Sequence, residues 1–476
     1  MSTLQHTSLA EVEQIYTRLQ RTFKDGTTRP IAYRRKQLLQ LARMFQENAA
    51  AIEQAEYTDL GKPKQEVAIA ETSGVIESAL FAAEHLEEWS RPEKVQVEEW
   101  RSSWDTTVYK TPKGVALIIS PWNYPFILTF NPLVGAIAAG CPTVLKPSEV
   151  VPTCAALIAS LVPKYLDSEA YAVVNGAVTE TTALLDKPWG HIFFTGGGKI
   201  GKIIATKAAQ TLTPVTLELG GKSPVVIDED CDLQLAARRI LYGKTQNSGQ
   251  LCVSPDHVYV PRHLVADFKE AVKVAYSTFF PSETALHPNS HWGNIVNPSH
   301  HSRVKGLLDR TLGEILVGGQ VDGAKRIAPT VVTGVKPDDS LMEEEIFGPI
   351  LPILEVENLD ETIKLISNGS SPLVIYAFTN NEETKEKLLN RTTSGSLVFN
   401  DTTIQLAVHE MPFGGHGESG YGAYYDKNSF DTFTHKRSSI NVPAAAEAMF
   451  GARYRPYSEE KYALMTQSIH SKIPEE

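Results

Sequence analysis

Cysteine is scarce in this chain, which has 4 cysteines among 476 residues. They are Cys141, Cys154, Cys231 and Cys252, and no two of them form a C-x-x-C pair. So few cysteines exclude a disulfide-stabilised secreted fold and favour a reducing compartment. The N-terminal stretch also has no cationic segment followed by an apolar core, which a secretory leader would need. We therefore predict a cytoplasmic protein.

The chain also lacks an excess of positive charge. The 45 Lys and Arg residues are outnumbered by 56 Asp and Glu residues, which gives a net charge of −11. An acidic chain without a local run of Lys and Arg is poorly suited to nucleic-acid phosphates, so no nucleic-acid partner is predicted. No metal site is predicted either.

The apolar stretch at residues 114–140 is long enough to suggest a membrane span. It is interrupted by three prolines and two asparagines, namely Pro121, Asn123, Pro125, Asn131 and Pro132. Because proline ends or kinks a helix, this stretch predicts a strand, a turn and the start of a helix rather than a stable membrane span.

Two series of short β-rich runs alternate with helical segments. The first series has its runs at 115–119, 143–146, 171–175 and 191–195. The second has its runs at 225–228, 257–260, 330–333, 350–356, 374–379 and 396–400. Runs that are apolar on both faces are typical of parallel strands covered by helices on each side. The sequence thus predicts an α/β protein with two doubly wound, Rossmann-like domains.

Three regions depart from this alternation. The first ninety residues have helical periodicity, with an apolar stripe within residues 31–48. Residues 95–110 are polar, β-branched and aromatic, which predicts an exposed two-stranded ribbon. Residues 412–435 are rich in glycine and aromatic residues, and we predict neither regular helix nor strand there.

A glycine-rich turn follows the apolar run at 191–195. Gly196, Gly198 and Gly201 fit the pattern G-x-G-x-x-G, and the turn opens a predicted helix. Backbone amides at a helix N-terminus favour a phosphate, so the turn is typical of nucleotide binding. A tight strand-to-helix turn without a ligand is the alternative. The same fingerprint would assign Glu218, roughly 20 residues on, to a ribose hydroxyl.

Three further side chains are suited to catalysis. Glu218 lies on a short apolar strand before two glycines. It is either a general base whose pKa is raised by burial or a strand-end glutamate that faces water. Cys252 lies on a loop after a predicted helix. It is either a reactive thiol or a small buried apolar side chain. Asn123 lies between two prolines. Its side-chain amide either donates a hydrogen bond to an oxyanion or forms a hydrogen bond with the backbone of its own turn.

Seven blocks occur in one order along the chain: PWNYP, LKPSE, FTGGGKIG, LELGGKSP, NSGQLC, EEIFGP and PFGGHGESGYG. In order and spacing they resemble the aldehyde dehydrogenase superfamily over residues 32–437. The run that begins at Pro412 is similar to the class 3 branch, which includes enzymes for fatty and aromatic aldehydes. The resemblance implies the aldehyde dehydrogenase fold, in which a small β arm for oligomerisation accompanies the two Rossmann-like domains.

The resemblance also implies catalytic roles. Cys252 matches the catalytic thiol, Glu218 the base that activates the hydrolytic water, and Asn123 the side-chain donor of the oxyanion hole. The implied reaction oxidises an aldehyde to a carboxylic acid through a thiohemiacetal and a thioester. The intact thiol and base argue against a catalytically silent binding protein, and the intact cofactor blocks argue against a thioesterase that works without a cofactor.

The implied cofactor is NAD, with NADP as an alternative. Lys146 and Glu149 match the residues that bind the adenine ribose, so Glu218 is not given that task. The Glu149 carboxylate favours NAD because it should repel a 2′-phosphate. The other predicted cofactor contacts are Trp122, Gly196, Gly197, Gly201, Leu219, Glu345 and Phe347. Gly197 stands where the family often has serine, which makes the turn looser.

The predicted substrate contacts are Tyr124 and Tyr242, which match positions near the substrate tunnel. Aromatic walls favour an aromatic or a medium-to-long apolar aldehyde. Simple packing of the two tyrosines at a domain interface is the alternative.

The predicted domains follow from the same resemblance. Residues 1–94 and 113–219 form the NAD(P)-binding domain, 220–405 the catalytic domain, 95–112 and 406–437 the oligomerisation arms, and 438–476 the tail. An exposed ribbon that carries Trp100, Trp104 and Tyr109 would aggregate unless it is covered, so a homodimer is predicted.

Overall fold

The computed structural model describes residues 4–281, 284–287, 290–323 and 325–475. The remaining positions, which belong to the predicted NAD(P)-binding domain, catalytic domain and tail, lie outside the described residues. The chain divides into two compact units. The larger consists of Met1–Trp89 with Pro112–Thr434, and the smaller of Ser90–Thr111 with His435–Glu476.

Helices precede, separate and follow the strands. The earlier ones are α1 (Leu9–Lys24), α2 (Ile31–Leu60), α3 (Lys64–Val67), α4 (Gly74–Ser90), α5 (Ile127–Ala139), α6 (Pro152–Tyr165), α7 (Val178–Leu185) and α8 (Gly198–Ala209). The later ones are α9 (Leu233–Thr245), α10 (Val265–Phe279), α11 (Pro298–Arg310), α12 (Leu359–Asn368), α13 (Glu382–Arg391), α14 (Asp426–Phe433) and α15 (Glu459–Met465). A π-helical turn, Ala68–Ser73, joins α3 to α4.

The strands are numbered in chain order. The first group is β1 (Glu93–Lys94), β2 (Asp105–Pro112), β3 (Ala116–Ile119), β4 (Thr143–Lys146), β5 (Tyr171–Val173), β6 (His191–Thr195) and β7 (Val215–Glu218). The second group is β8 (Pro224–Ile227), β9 (His257–Pro261), β10 (Glu314–Val317), β11 (Val321–Asp322), β12 (Arg326–Ile327), β13 (Thr330–Thr333), β14 (Ile350–Val356), β15 (Val374–Phe378), β16 (Ser396–Phe399), β17 (Gly420–Tyr421) and β18 (Thr434–Asn441).

The first sheet of the larger unit has the strand order β17-β7-β6-β3-β4-β5. Its neighbours are parallel except that the short β17 runs antiparallel to β7. Ile119 of β3 is in register with Lys146 of β4 and with Phe194 of β6. The carboxyl ends of these strands therefore share one edge, where ligands bind in folds of this type.

The second sheet has the order β10-β13-β14-β9-β8-β15-β16 and is parallel except between β10 and β13. Its central strands β8, β9, β13 and β15 are buried along their whole length, as apolar runs between two helical layers should be. The predicted α/β architecture with two Rossmann-like sheets is confirmed.

The apolar stretch at 114–140 contains strand β3, a turn and helix α5, as its prolines and asparagines predict. Among the described residues, no helix combines the length and the apolar composition that a membrane span requires.

The glycine- and aromatic-rich segment differs from its prediction. Residues 426–433 form helix α14. The reason is burial, because five aromatic side chains of this segment are in the core: Phe413, Tyr424, Tyr425, Phe430 and Phe433. The aromatic residues of this segment therefore supply packing area for the core.

The smaller unit contains a sheet with the strand order β1-β2-β18. The pair β1 and β2 is antiparallel, as expected of the predicted ribbon. However, β1 ends just before residue 95, and β2 overlaps the predicted range but extends two residues beyond it. Strand β18 comes from the C-terminal part of the chain and forms one edge of the sheet.

Candidate active site

Cys252 lies on the loop that leaves helix α9. The loop begins with Asn247 and Ser248, whose φ angles are 47° and 55°, and continues through Gly249 at 75°. A side chain at Gly249 would place its Cβ 2.2 Å from the carbonyl oxygen of Gly348, so glycine permits this close approach. The loop that carries the thiol is thereby packed directly against the EEIFGP block.

Two cavities meet at Cys252. The first, of about 330 Å³, brings together Asn123, Glu218 and Cys252. It is also lined by these predicted cofactor contacts: Trp122, Gly196, Gly197, Leu219, Glu345 and Phe347. The predicted contacts Lys146, Glu149 and Gly201 are not among its lining residues.

The second cavity, of about 570 Å³, also reaches Cys252. Both predicted substrate contacts line it, with Tyr124 buried at 5% exposure and Tyr242 half exposed at 51%. The remaining large apolar side chains around it are Ile69, Ile127, Leu128, Leu251, Ile404, Leu406, Phe413, Tyr424 and Tyr425. The thiol therefore lies between an apolar cavity and a cavity lined by the predicted cofactor residues.

Asn123 is buried and points toward the loop of the thiol. Its Nδ2 donates to the carbonyl oxygen of Gln250 at 3.1 Å, two residues before Cys252. Its own carbonyl oxygen accepts from Nδ2 of Asn247 at 2.8 Å. The side chain thus reaches across to a second loop instead of satisfying its own turn, and the amide retains another N–H for an oxyanion.

Glu218 is the last residue of β7 and is only 3% exposed. Both of its carboxylate oxygens are buried without a hydrogen-bond partner among the described residues. Burial raises the pKa of Glu218 well above the usual value. The alternative of a strand-end glutamate in water is therefore wrong, and the environment is one that suits a general base.

The thiol of Cys252 also has a raised pKa. Burial, together with the nearby Glu345 and Glu218 carboxyl groups, raises the pKa of Cys252 to about 12. Burial and Asp256 raise the pKa of Glu345 to about 8. In the cofactor-free protein, Cys252 is therefore a neutral thiol at pH 7.

This state predicts how Cys252 reacts with iodoacetamide in the cofactor-free protein. The rate should rise about tenfold per unit from about pH 7 to about pH 10, because the thiolate fraction rises in that proportion below the pKa. The rate is measured by mass spectrometry of the Cys252 peptide, with Cys252→Ala as the control for labelling elsewhere. A rate that levels off near pH 8 would contradict the raised pKa.

The edge shared by β3, β4 and β6 suits a dinucleotide. Gly197 caps helix α8, and an added Cβ at Gly197 or Gly198 would meet no atom within 4 Å, so there is open space beside this turn. The buried Oγ1 of Thr195 has no hydrogen-bond partner among the described residues. At the end of β4, two strands away from β6, Nζ of Lys146 lies 3.1 Å from Oε2 of Glu149. The helix N-terminus at this turn suits a pyrophosphate, and the ammonium and carboxylate at the end of β4 suit the hydroxyl groups of a ribose.

Helix packing explains why residue 201 is a glycine. A Cβ at this position would lie 2.8 Å from Cδ2 of Leu219, so glycine allows helix α8 to pack closely against the end of strand β7.

Two side chains that no sequence motif marks also line the first cavity. His300 and Arg303 of α11 line it. The His300 ring lies 5.1 Å from the Trp122 ring, which in turn lies 5.4 Å from Phe347. Arg303 donates to the carbonyl oxygen of Ile346 at 2.8 Å. No local pattern marks α11, since only the fold brings it to the site.

Comparison with known proteins identifies the family of this chain. Residues 1–439 match the model of the aldehyde dehydrogenase family. Aldehyde dehydrogenase family 3 member H1 of Arabidopsis thaliana is 42% identical over 471 residues, which cover 98% of this chain and 96% of that protein. The dimeric NADP-preferring aldehyde dehydrogenase of Rattus norvegicus is 41% identical over 449 residues, 94% of this chain and 98% of that one.

A solved structure shows the same similarity in three dimensions. The substrate-bound state of Staphylococcus aureus AldH superposes with a TM-score of 0.92 at 37% identity, covering 96% of this chain and 99% of that chain. The class 3 resemblance of the sequence blocks is confirmed by the family 3 relative. The chain belongs to the aldehyde dehydrogenase family.

Proposed function

We propose that the protein oxidises an apolar aldehyde to the carboxylic acid with NAD or NADP, through covalent intermediates on Cys252. The observation that carries the proposal is the meeting of two cavities at this thiol. One cavity has mostly apolar walls, and the other contains Asn123, Glu218 and the predicted cofactor contacts. An aldehyde in the first and a dinucleotide in the second would both reach the sulfur.

Acylation would begin with attack of the Cys252 sulfur on the aldehyde carbon. The thiol proton ends on the former carbonyl oxygen, which gives a thiohemiacetal. The Asn123 amide and the backbone N–H of Cys252 would stabilise the oxygen while it carries negative charge. Loss of one such donor typically lowers kcat by roughly 10² to 10³.

The chemistry that a bound dinucleotide supplies is the acceptance of hydride from the carbon of the thiohemiacetal. The hydroxyl proton of the thiohemiacetal would pass to water, and a thioester would remain on Cys252. Lys146 and Glu149 would hold its adenine ribose and the amides after Gly197 its pyrophosphate. Glu345 and Phe347 would hold the nicotinamide half. The Glu149 carboxylate favours NAD. The rat relative is named NADP-preferring, so NADP stays the alternative.

Deacylation would depend on Glu218. An ionised Glu218 takes a proton from water, and the resulting hydroxide attacks the thioester to release the acid and restore the thiol. Both carboxylate oxygens are free of protein partners among the described residues, so they can accept from water. The raised pKa makes the carboxylate a stronger base than a glutamate in solvent.

The experiment that tests this function follows NADH absorbance across a panel of aldehydes. For straight-chain aldehydes we expect kcat/KM to rise by about fourfold per added methylene until the cavity is filled, because each buried CH₂ contributes about 0.8 kcal/mol. In Tyr242→Ala the rise should be shallower, since Tyr242 lines the second cavity. Tyr57, exposed on α2 and away from both cavities, supplies the control Tyr57→Ala.

Two outcomes of that panel would contradict the proposal. One is an absence of NAD- or NADP-dependent oxidation of any aldehyde. The other is a preference for small aldehydes that carry a carboxylate, because burying that charge against mostly apolar walls is costly.

The assembly proposed for the protein is a homodimer. The support is strand β18, which forms a sheet edge and is exposed from residue 435 to residue 441. Trp100, Tyr109 and Ile440 of the same unit are also exposed. An open edge with apolar neighbours invites pairing with a second copy. The rat relative is named dimeric.

The cellular location stays a prediction. The four cysteines are free thiols, which is consistent with a reducing compartment such as the cytoplasm.

A further inference from the structure

A cluster of buried charges lies behind the loop of Asn123. Nζ of Lys62 is 2.9 Å from Oε2 of Glu56 and 2.9 Å from Oε1 of Glu71, and all three side chains are fully buried. The same Nζ donates to the carbonyl oxygen of Asn123 at 3.0 Å and lies 4.0 Å from the centre of the Tyr124 ring. The ammonium therefore donates hydrogen bonds to Glu71 and to Asn123, and it forms an ion pair with Glu56.

Glu71 holds the far end of the same loop. Its Oε2 accepts from the backbone N–H groups of Phe126 and Ile127, at 3.0 and 2.8 Å. These amides stand at the start of α5, where helix N–H groups have no partner within the helix. Glu71 itself lies in the π-helical turn 68–73, a rare geometry that is frequent at functional sites. Lys62 and Glu71 therefore fix the loop at residue 123 and at residues 126–127.

The carbonyl oxygen of Asn123 is held from a second side. Nδ2 of Asn247 donates to it at 2.8 Å and also to the carbonyl oxygen of Gln250 at 3.1 Å. Because the Asn123 amide donates to that same Gln250 oxygen, its direction is set by both loops together. A shift of the Asn123 backbone would therefore displace the amide from its present direction.

Stability alone does not explain such a cluster. Burial and the neighbouring Glu71 raise the pKa of Glu56 well above the usual value. Despite burial, Glu56 and Glu71 hold the pKa of Lys62 above the usual value, so Lys62 is charged. A buried ion pair of this kind is often no more stabilising than apolar residues of the same volume. What it adds is a fixed direction for each hydrogen bond.

We infer that Lys62, held by Glu71, is a positioning residue that fixes the Asn123 carbonyl and thereby aims the Asn123 amide at the oxygen of the aldehyde on Cys252. The inference rests on the proposed function, because it needs Asn123 to act as the oxyanion donor.

The test is a double-mutant cycle on the full-length enzyme with Lys62→Met and Asn123→Ala. The rate of the first NADH turnover is measured at saturating NAD with benzaldehyde. Lys62→Met should lower this rate by roughly 10- to 100-fold, as expected when one oxyanion donor is misplaced. The KM for benzaldehyde and the Kd for NAD should stay within about twofold of wild type. In the Asn123→Ala background, Lys62→Met should change the rate by less than about threefold, since the two changes remove one interaction.

Controls separate positioning from folding. Ile52→Ala, in the buried part of α2, should lower Tm without lowering the first-turnover rate. If Lys62→Met does not fold because it leaves Glu71 unpaired, the doubly neutral variant Lys62→Met with Glu71→Gln takes its place and carries the same expectation.

The remaining outcomes are distinct. If Lys62→Met lowers the rate equally with and without the Asn123 side chain, the inference is wrong while the proposed function stands. Unchanged acylation in Lys62→Met also overturns it. If Asn123→Ala alone acylates like wild type, the oxyanion assignment fails and the inference fails with it.

Discussion

Replacing Cys252 with alanine is expected to abolish NADH formation from every aldehyde, a loss of roughly 10⁴-fold or more, as for other covalent nucleophiles. The reason is that the sulfur makes the bond that turns a planar aldehyde into a hydride donor, and nothing at this position in the variant can do so. The measurement is the steady-state rate of NADH formation with benzaldehyde.

Two controls make this result specific. Binding of NAD, measured by quenching of protein fluorescence, should be retained, because the alanine only shortens one side chain of the first cavity. Cys231→Ala should keep wild-type activity, since Cys231 lines neither cavity. Appreciable NADH formation by Cys252→Ala would mean that a different group attacks the aldehyde.

Replacing Glu218 with glutamine is expected to separate the two halves of the reaction. Acylation should survive, so rapid mixing should show a burst of about one NADH per subunit. Hydrolysis of the thioester should then be slower by roughly 10² to 10⁴, the usual contribution of a general base. The amide is nearly the same size as the carboxylate, so the cavity keeps its shape while the base is lost.

The pH dependence should change in the same variant. In wild type, deacylation rises with pH as Glu218 ionises, and its raised pKa moves that rise above the usual range for a glutamate. In Glu218→Gln this part of the profile should be flat. Steady turnover near the wild-type rate, with the same pH profile, would remove Glu218 from its assigned role.

The buried strands are predictable from the sequence because apolar runs of strand length between turn residues have few other uses in an α/β protein. Strands β4, β6, β13 and β14 have the same bounds as the predicted runs at 143–146, 191–195, 330–333 and 350–356. The segment at 412–435 is not predictable in this way. Its glycines and aromatic residues show neither the helical period of about 3.6 residues nor the strand period of two. Only the fold reveals that Phe430 and Phe433 face the core on a helix.

The site divides in a similar manner. Motifs mark Asn123, Glu218 and Cys252, which the fold brings to one cavity. The sequence could not reveal that Lys62 reaches the carbonyl of Asn123, because the contact joins residues 61 positions apart. Nor could it show that Gly201 is needed for contact with Leu219, since the glycine pattern is the same for packing and for phosphate binding.

The most direct test of the account asks where the acyl group is carried. Glu218→Gln is mixed with NAD and benzaldehyde, quenched in acid, digested and examined by mass spectrometry. We expect a benzoyl group on the peptide that contains Cys252, in about the amount of the NADH burst, and none when Cys252→Ala is added. An acyl group on another residue, or a full burst without any covalent adduct, would contradict covalent catalysis by Cys252.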